Sequence, residues 1–178
     1  LDGTTNFIHQ IPAYAVSIGL EYKKELVLGV VYEIVHDECF YAWKNGGAWL
    51  NGKSIKVTRS KELSETLIAT GFPYYNYERA DAYLNFMRFL MENTRGLRRI
   101  GSAATDLAYV AAGRFDAFFE YGLSPWDVAA GIVLVREAGG EIFDFRSGED
   151  VLYGQEIVAL NKDIQEPFMK AIEKEFYG

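Results

Sequence analysis

The chain predicts a mixed α and β fold, with an antiparallel lobe followed by a lobe in which strands and helices alternate. Short β-branched runs divided by tight-turn residues fill the first third, and beyond Arg59 strand-like runs alternate with helical periodicity. The 178 residues are 49% apolar and 24% charged, which suits one compact domain or two small ones rather than a disordered chain. The expected division falls between residues 1–58 and 59–178.

Taken in order, Tyr14 to Leu20 and Leu26 to Val35 read as strands, with the charged stretch Glu21 to Glu25 as the turn between them. Cys39 to Trp43 continues as a strand, Asn45-Gly46-Gly47 breaks it, and Ala48 to Val57 contains an Asn51-Gly52 turn. Leu67 to Thr70 is a short buried-type strand closed by Gly71-Phe72-Pro73. Ala80 to Met91 places its apolar residues on one helical stripe, and Gly96 ends that unit. Leu97 to Ile100 suggests a strand, and Ser102 to Ala112 a helix with Ala103, Leu107, Val110 and Ala111 on its apolar face and Gly113 as its stop. Phe115 to Glu120 is strand-like, while Val128 to Ala138 is a nearly all-apolar, hence buried, helix ending at Gly139-Gly140. Glu141 to Phe145 and Glu156 to Leu160 read as strands, and Ile164 to Phe176 as an amphipathic closing helix.

Charge excludes some partners. Lysine and arginine number 18 against 25 acidic residues, net −7, so the broad attraction that drives nucleic-acid or anionic-membrane binding is absent. If the protein handles phosphate, something else supplies the positive charge. The longest uncharged apolar run, Val128 to Val135, is far short of the roughly 20 residues of a spanning helix. A single cysteine, Cys39, rules out an internal disulfide framework and a cysteine-based zinc site, and a reducing cytoplasm is the expected location. The chain opens at Leu1 without a methionine, already inside a polar loop, so a segment ahead of it is expected.

Two stretches carry candidate chemistry. In Asp2-Gly3-Thr4-Thr5-Asn6, a carboxylate beside glycine and two hydroxyls can hold a hard cation, while backbone N–H groups in a tight turn can face a phosphate oxygen. An Asp-Gly turn with a threonine-rich edge explains the same residues. In Ser124-Pro125-Trp126-Asp127, followed by Glu137-Ala138-Gly139-Gly140, the residue types suit a helix start with Ser124 at N-cap, Pro125 at N1 and Asp127 at N3. A carboxylate there stays ionised in the helix dipole and is available as a metal ligand. Small residues Ala129, Ala130 and Gly131 allow close backbone approach.

Together the two stretches resemble the inositol monophosphatase family of magnesium-dependent phosphatases. Its first signature contains D-P-[LI]-D-G-T-[TS]-N-F and its second is W-D-x-A-A-G followed by E-A-G-G; Leu1 to Phe7 and Trp126 to Gly140 match in order and spacing. The resemblance runs over all 178 residues, including the Gly101-Ser102-Ala103 turn and Phe119 to Gly122. It implies a layered α-β-α-β-α sandwich of the inositol monophosphatase and fructose-1,6-bisphosphatase type with its first part missing, usually a homodimer, and lithium-sensitive hydrolysis of a small phosphorylated polyol or sugar with Mg²⁺ as cofactor.

Residue by residue, the resemblance makes Asp2 a carboxylate ligand of Mg²⁺ and the Leu1 carbonyl another, with Asp127 completing a second metal. Gly3 and Thr4 offer backbone N–H groups to the phosphate, and the Thr4 hydroxyl positions the attacking water. Glu120 contacts polyol hydroxyls, and Gly101, Ser102 and Ala103 lie beside the same substrate. The family's aspartate two residues before Asp2 and a glutamate further upstream are not in this sequence, so these 178 residues alone are expected to bind Mg²⁺ poorly and to turn over little. Inositol 1-phosphate is the leading substrate; fructose 1,6-bisphosphate and 3′-phosphoadenosine nucleotides belong to related subfamilies, and a non-catalytic regulatory member is a further alternative. The D-x-D-G-T of haloacid-dehalogenase-like phosphatases predicts a downstream acidic loop that is not found here.

Other polar residues take structural readings. His36 and Cys39, three apart on a strand, point to opposite faces. His9 is a lone structural histidine, and Arg95, Arg98 and Arg99 form a solvated edge. Glu120, at a strand end, faces solvent unless the resemblance holds, and Glu137 stabilises its own helix.

Overall fold

The computed structural model describes residues 1–73 and 77–178. Strands β1 (Ala15–Tyr22), β2 (Glu25–Glu33), β3 (Glu38–Trp43), β4 (Ala48–Leu50) and β5 (Lys53–Ile55) form an antiparallel sheet in chain order. Two tight turns fold it: Lys23-Lys24 (φ 52° and 65°) and Asn51-Gly52 (φ 46° and 81°) adopt left-handed conformations that match the twist of a hairpin. The first is shorter than the charged stretch Glu21 to Glu25 suggests. Tyr22 pairs with Glu25 and Glu21 with Leu26, so both strands run through those charges to the turn.

The second sheet has the order β7 (Gly96–Arg98), β6 (Leu67–Thr70), β8 (Ala117–Tyr121), β10 (Glu156–Leu160), β9 (Glu141–Phe143). Helices α2 (Ala80–Asn93) and α3 (Ala103–Ala111) are the crossovers that make β6 parallel to β7 and β8. Beyond them β10 runs antiparallel to both β8 and β9, so the strand and helix alternation yields a mixed sheet. Helix α4 (Pro125–Glu137) follows β8, and α5 (Gln165–Tyr177) closes the chain. One element went unread in the sequence: α1 (Thr4–Ile8), five residues long, is too short to show a 3.6-residue period.

The layers follow from burial. Every residue of β8, Ala-Phe-Phe-Glu-Tyr, is buried, because the second sheet is covered on both faces. Phe118 joins the core shared by the first sheet, α3 and α4, while Ala117 and Phe119 join the core beneath α2 and α5. The order is first sheet, α3 with α4, second sheet, α2 with α5: four layers of the expected five-layer sandwich. The other face of the first sheet carries Val16, Ile18, Leu20 and Trp43, all exposed.

Small residues bring α4 onto the first sheet. A Cβ placed on Gly19 would lie 2.6 Å from the Ala129 Cβ, one on Gly29 would lie 2.4 Å from the Ala130 carbonyl oxygen, and one on Gly131 would lie 2.4 Å from Leu107 Cδ1 of α3. Backbone therefore touches backbone across the layer. The far end of α4 is tied as well: the Glu137 carboxylate accepts from Asn45 N–H (2.8 Å) and Gly47 N–H (2.9 Å) in the β3–β4 turn. Glu137 thus secures the turn between two strands rather than its own helix. His36 also departs from expectation, since it sits in the β2–β3 turn, not on a strand, with Nδ1 2.6 Å from buried Glu33.

Gly29→Ala is expected to push α4 off the sheet and cost about 1–3 kcal/mol of overpacking strain, measured as a lowered midpoint in urea unfolding.

Candidate active site

Asp2 is anchored on both sides. Its backbone bridges Ala15 (2.8 Å and 3.0 Å), placing the loop at the start of β1, and its Oδ2 accepts from Ser102 Oγ (2.7 Å) and Ala104 N–H (2.8 Å) at the start of α3. One free N–H of a helix N-terminus and one hydroxyl therefore hold one carboxylate oxygen. Ser102 is also the N-cap of α3, with Thr105 N–H donating to its Oγ at 3.3 Å. The side chain of Ser102 is thus engaged by the carboxylate and the helix.

Gly3 follows with φ 76°, and an added Cβ would lie 2.8 Å from the Ala13 carbonyl oxygen, so only glycine makes the left-handed step into α1 without strain. That step leaves Thr4 exposed at the helix start with no side-chain cap on its N-terminus. Buried Asn6 ties the loop to the segments ahead of β1 and α3 by donating to Ala13 O (2.7 Å) and Ile100 O (2.9 Å).

Asp127 arrives from the opposite side on the first turn of α4. Its Oδ2 accepts from Ser124 N–H at 2.9 Å, and the Trp126 carbonyl accepts from Ser17 Oγ at 3.3 Å, fixing the helix start against β1. Burial pushes the Asp127 carboxyl up, the Ser124 N–H pulls it down, and the nearby Asp2 charge raises it again. The helix start alone therefore does not set its ionisation, because the group is half-buried beside another acid.

A cavity of about 250 Å³ opens between these elements. Asp2, Gly3, Thr4, Gly101, Ser102, Ala103, Glu120 and Asp127 all line it. Leu1 does not; it is exposed outside the wall. Gly71, Arg99 and Asp106 line it too. Arg99 is exposed, as are Arg95 and Arg98 of the expected solvated edge, and it also lines the cavity with its guanidinium 5.4 Å from the Phe72 ring, while Arg98 donates to the Leu97 carbonyl. Asp106 had a signal in the sequence, a lone carboxylate between Ala103 and Val110 on the apolar stripe of α3.

Glu120 is the strongest departure. It is 5% exposed, not solvent-facing, because β8 continues to Tyr121 and both faces of the sheet are covered. Burial pushes its pKa up to about 8, the Asp2 and Asp127 charges add to the rise, and Arg99 opposes it. Asp106, fully buried, is raised well above the ordinary carboxylate range by burial and then by Glu120 and Asp2, and its Oδ1 has no hydrogen-bond partner.

This donor set suits a hard divalent cation. Asp2, Asp127 and the Thr4 hydroxyl are all oxygen donors, and a cation beside the two carboxylates relieves the repulsion that raises Asp127. Among the described residues no group of three or more histidine, cysteine, aspartate or glutamate side chains is placed to hold a metal.

Comparison with known proteins agrees with the geometry. A sequence model described as the inositol monophosphatase family matches residues 1–176. The inositol-1-monophosphatase of Mesorhizobium japonicum is 46% identical over 174 residues, which is 98% of this chain and 65% of the relative. The Nus factor SuhB of Pseudomonas aeruginosa is 50% identical over 163 residues, 90% of this chain and 60% of that protein. Among solved structures, extragenic suppressor protein suhB from Bartonella henselae superposes with a TM-score of 0.93 at 44% identity, covering 97% of this chain and 66% of that one. The chain thus spans just under two thirds of the length of these relatives.

The raised Glu120 has a measurable sign. An unfolded glutamate titrates near 4.5 and this one near 8, so between those values the folded state holds the extra proton and stability falls as pH rises. Melting temperatures in metal-free buffer are expected to drop more steeply from pH 5 to pH 8 for the wild type than for Glu120→Gln.

Proposed function

The chain belongs to the inositol monophosphatase family, and from that premise we propose that its cavity serves Mg²⁺-dependent hydrolysis of a small phosphate monoester, with inositol 1-phosphate as the preferred substrate. The observation that carries this reading is the facing of Asp2 and Asp127 across one cavity, with the Gly3-Thr4 turn between them and Glu120 in the wall. A bound divalent cation supplies the positive charge that a net −7 protein lacks, polarising the phosphoryl group and favouring ionisation of an attacking water.

The protein's own groups do the rest. Asp2 and Asp127 would hold the cation, without Leu1, which lies outside the cavity wall. Ser102 and Ala104 keep Asp2 aimed into the cavity and neutralise one of its oxygens by hydrogen bonding. The Gly3 and Thr4 N–H groups bind phosphate oxygens and the Thr4 hydroxyl orients the water, which needs no protein nucleophile. Glu120 accepts a hydroxyl of the leaving polyol, with the Gly101 to Ala103 turn beside it, so the acid-rich end handles phosphate and the far wall reads the alcohol.

The chain divides into an antiparallel lobe in residues 1–58 and an alternating lobe in 59–178, and works as a cytoplasmic, lithium-sensitive homodimer. Among the described residues no helix is long and apolar enough to cross a membrane. A second reading, a non-catalytic binding role, is favoured by the Pseudomonas relative's name of Nus factor.

Phosphate release from inositol 1-phosphate by the full-length protein is expected to require Mg²⁺, to stop on chelation, and to fall by at least roughly a hundredfold in Asp127→Asn, whose amide oxygen can still cap α4. Release confined to fructose 1,6-bisphosphate or to a 3′-phosphoadenosine nucleotide overturns the substrate; no release from any phosphomonoester favours the binding role.

A further inference from the structure

Gly71 has no place in the reading above, yet it lines the same cavity. It follows directly on β6, whose Ala69 and Thr70 pair in parallel with Phe118 and Phe119 of β8. Continuing that register by one residue sets Gly71 beside Glu120, on the face of the sheet that Ala69 and Phe118 turn toward α3. The neighbours are in close contact: a Cβ built on Gly71 would meet the Glu120 carboxylate at 2.1 Å from Oε2, 2.2 Å from Cδ and 2.3 Å from Oε1. The carboxylate lies flat in the space that a side chain at position 71 would fill.

The backbone of Gly71 is held in place. Its carbonyl oxygen lies 2.6 Å from Tyr83 OH of α2 and 3.3 Å from Thr70 Oγ1, which in turn lies 2.9 Å from Phe119 O, and the two hydroxyl protons are shared among these acceptors. Tyr83 and Thr70 are buried and their hydroxyls bond each other, so both sides of the slot are braced by a packed polar network. Glu120, by contrast, is a flexible side chain whose far end is the only part the slot constrains.

We propose that Gly71 is a specificity-determining residue of this cavity: by lacking a side chain it gives the Glu120 carboxylate a recess, and so sets how deeply a polyol can enter to meet it. The proposal rests on the reading that Glu120 accepts a substrate hydroxyl. A residue with a Cβ at this position drives the carboxylate forward into the cavity, where it occupies the volume of the ring it should recognise and stands closer to the phosphate. Because the group displaced is a side-chain end rather than backbone, the fold tolerates the change while recognition does not.

The test is calorimetric titration, in Mg²⁺, of the full-length protein with a non-hydrolysable phosphonate analogue of inositol 1-phosphate and, separately, with inorganic phosphate. Gly71→Ala is expected to weaken the inositol analogue by about tenfold or more and inorganic phosphate by less than about twofold. Glu120→Asp, which shortens the side chain by one methylene, should also weaken the analogue when made alone. In the Gly71→Ala/Glu120→Asp double variant it should recover part of the loss, because the shorter carboxylate clears the new methyl group. Equal losses for both ligands, an unchanged analogue affinity in Gly71→Ala, or strictly additive losses in the double variant overturn the proposal. Should Gly71→Ala not fold, Gly71→Ser refolded with the analogue present replaces it, and failure of both to fold also overturns the claim that the slot is tolerant. If Glu120→Gln leaves the wild-type preference for the analogue over phosphate intact, the underlying reading of Glu120 has failed, whatever Gly71 does.

Discussion

The capture of one oxygen of Asp2 by the start of α3 is the interaction on which the site depends. Ser102 Oγ and Ala104 N–H reach Oδ2 across 100 and 102 residues of chain, joining the loop ahead of the first sheet to the helix layer between the sheets. A helix N-terminus has unsatisfied donors and positive partial charge, so it attracts a carboxylate oxygen and fixes its position. With one oxygen held, the other is directed by geometry rather than by side-chain rotation. Gly3 and Asn6 then complete the loop, one by a left-handed turn and the other by bonds to Ala13 and Ile100.

The opposite wall comes from close packing. Glycines on β1 and β2 let α4 lie against the sheet backbone, and that contact carries the first turn of α4, with Asp127, toward Asp2. The small residues of the second signature therefore serve the acid beside them. Their effect is positional, since any side chain at Gly19 or Gly29 would lift the helix and widen the gap between the two carboxylates.

Much of this was legible. Alternation and Asn-Gly chemistry located the first sheet, and β6 was read to its exact ends because Leu-Ile-Ala-Thr is bounded by a polar stretch and by Gly-Phe-Pro. Asp2, Thr4 and Asp127 could be picked out because their motifs are local. What escaped needed tertiary knowledge. Glu120 looks exposed from its sequence neighbours, since nothing local reveals that β8 is covered on both faces; Asp106 carries a local signal, a carboxylate on the apolar stripe of α3, but only the tertiary fold shows that it faces the cavity. Lys23 and Lys24 in left-handed conformations give no signal at all, because the hairpin twist imposes that geometry against their preference.

The four acids of the cavity sit in two settings. Asp2 and Asp127 accept backbone N–H groups at helix starts, yet burial still raises half-buried Asp127. Glu120 and Asp106 sit in the covered sheet and helix interior, where burial favours the neutral form. A carboxyl that holds its proton near neutrality competes poorly for a divalent ion, but it can donate to or accept from a hydroxyl without the desolvation cost of a full charge. Burial raises Glu120 to about 8 and the Asp2 and Asp127 charges add to that rise, while Arg99, which also lines the cavity, opposes it.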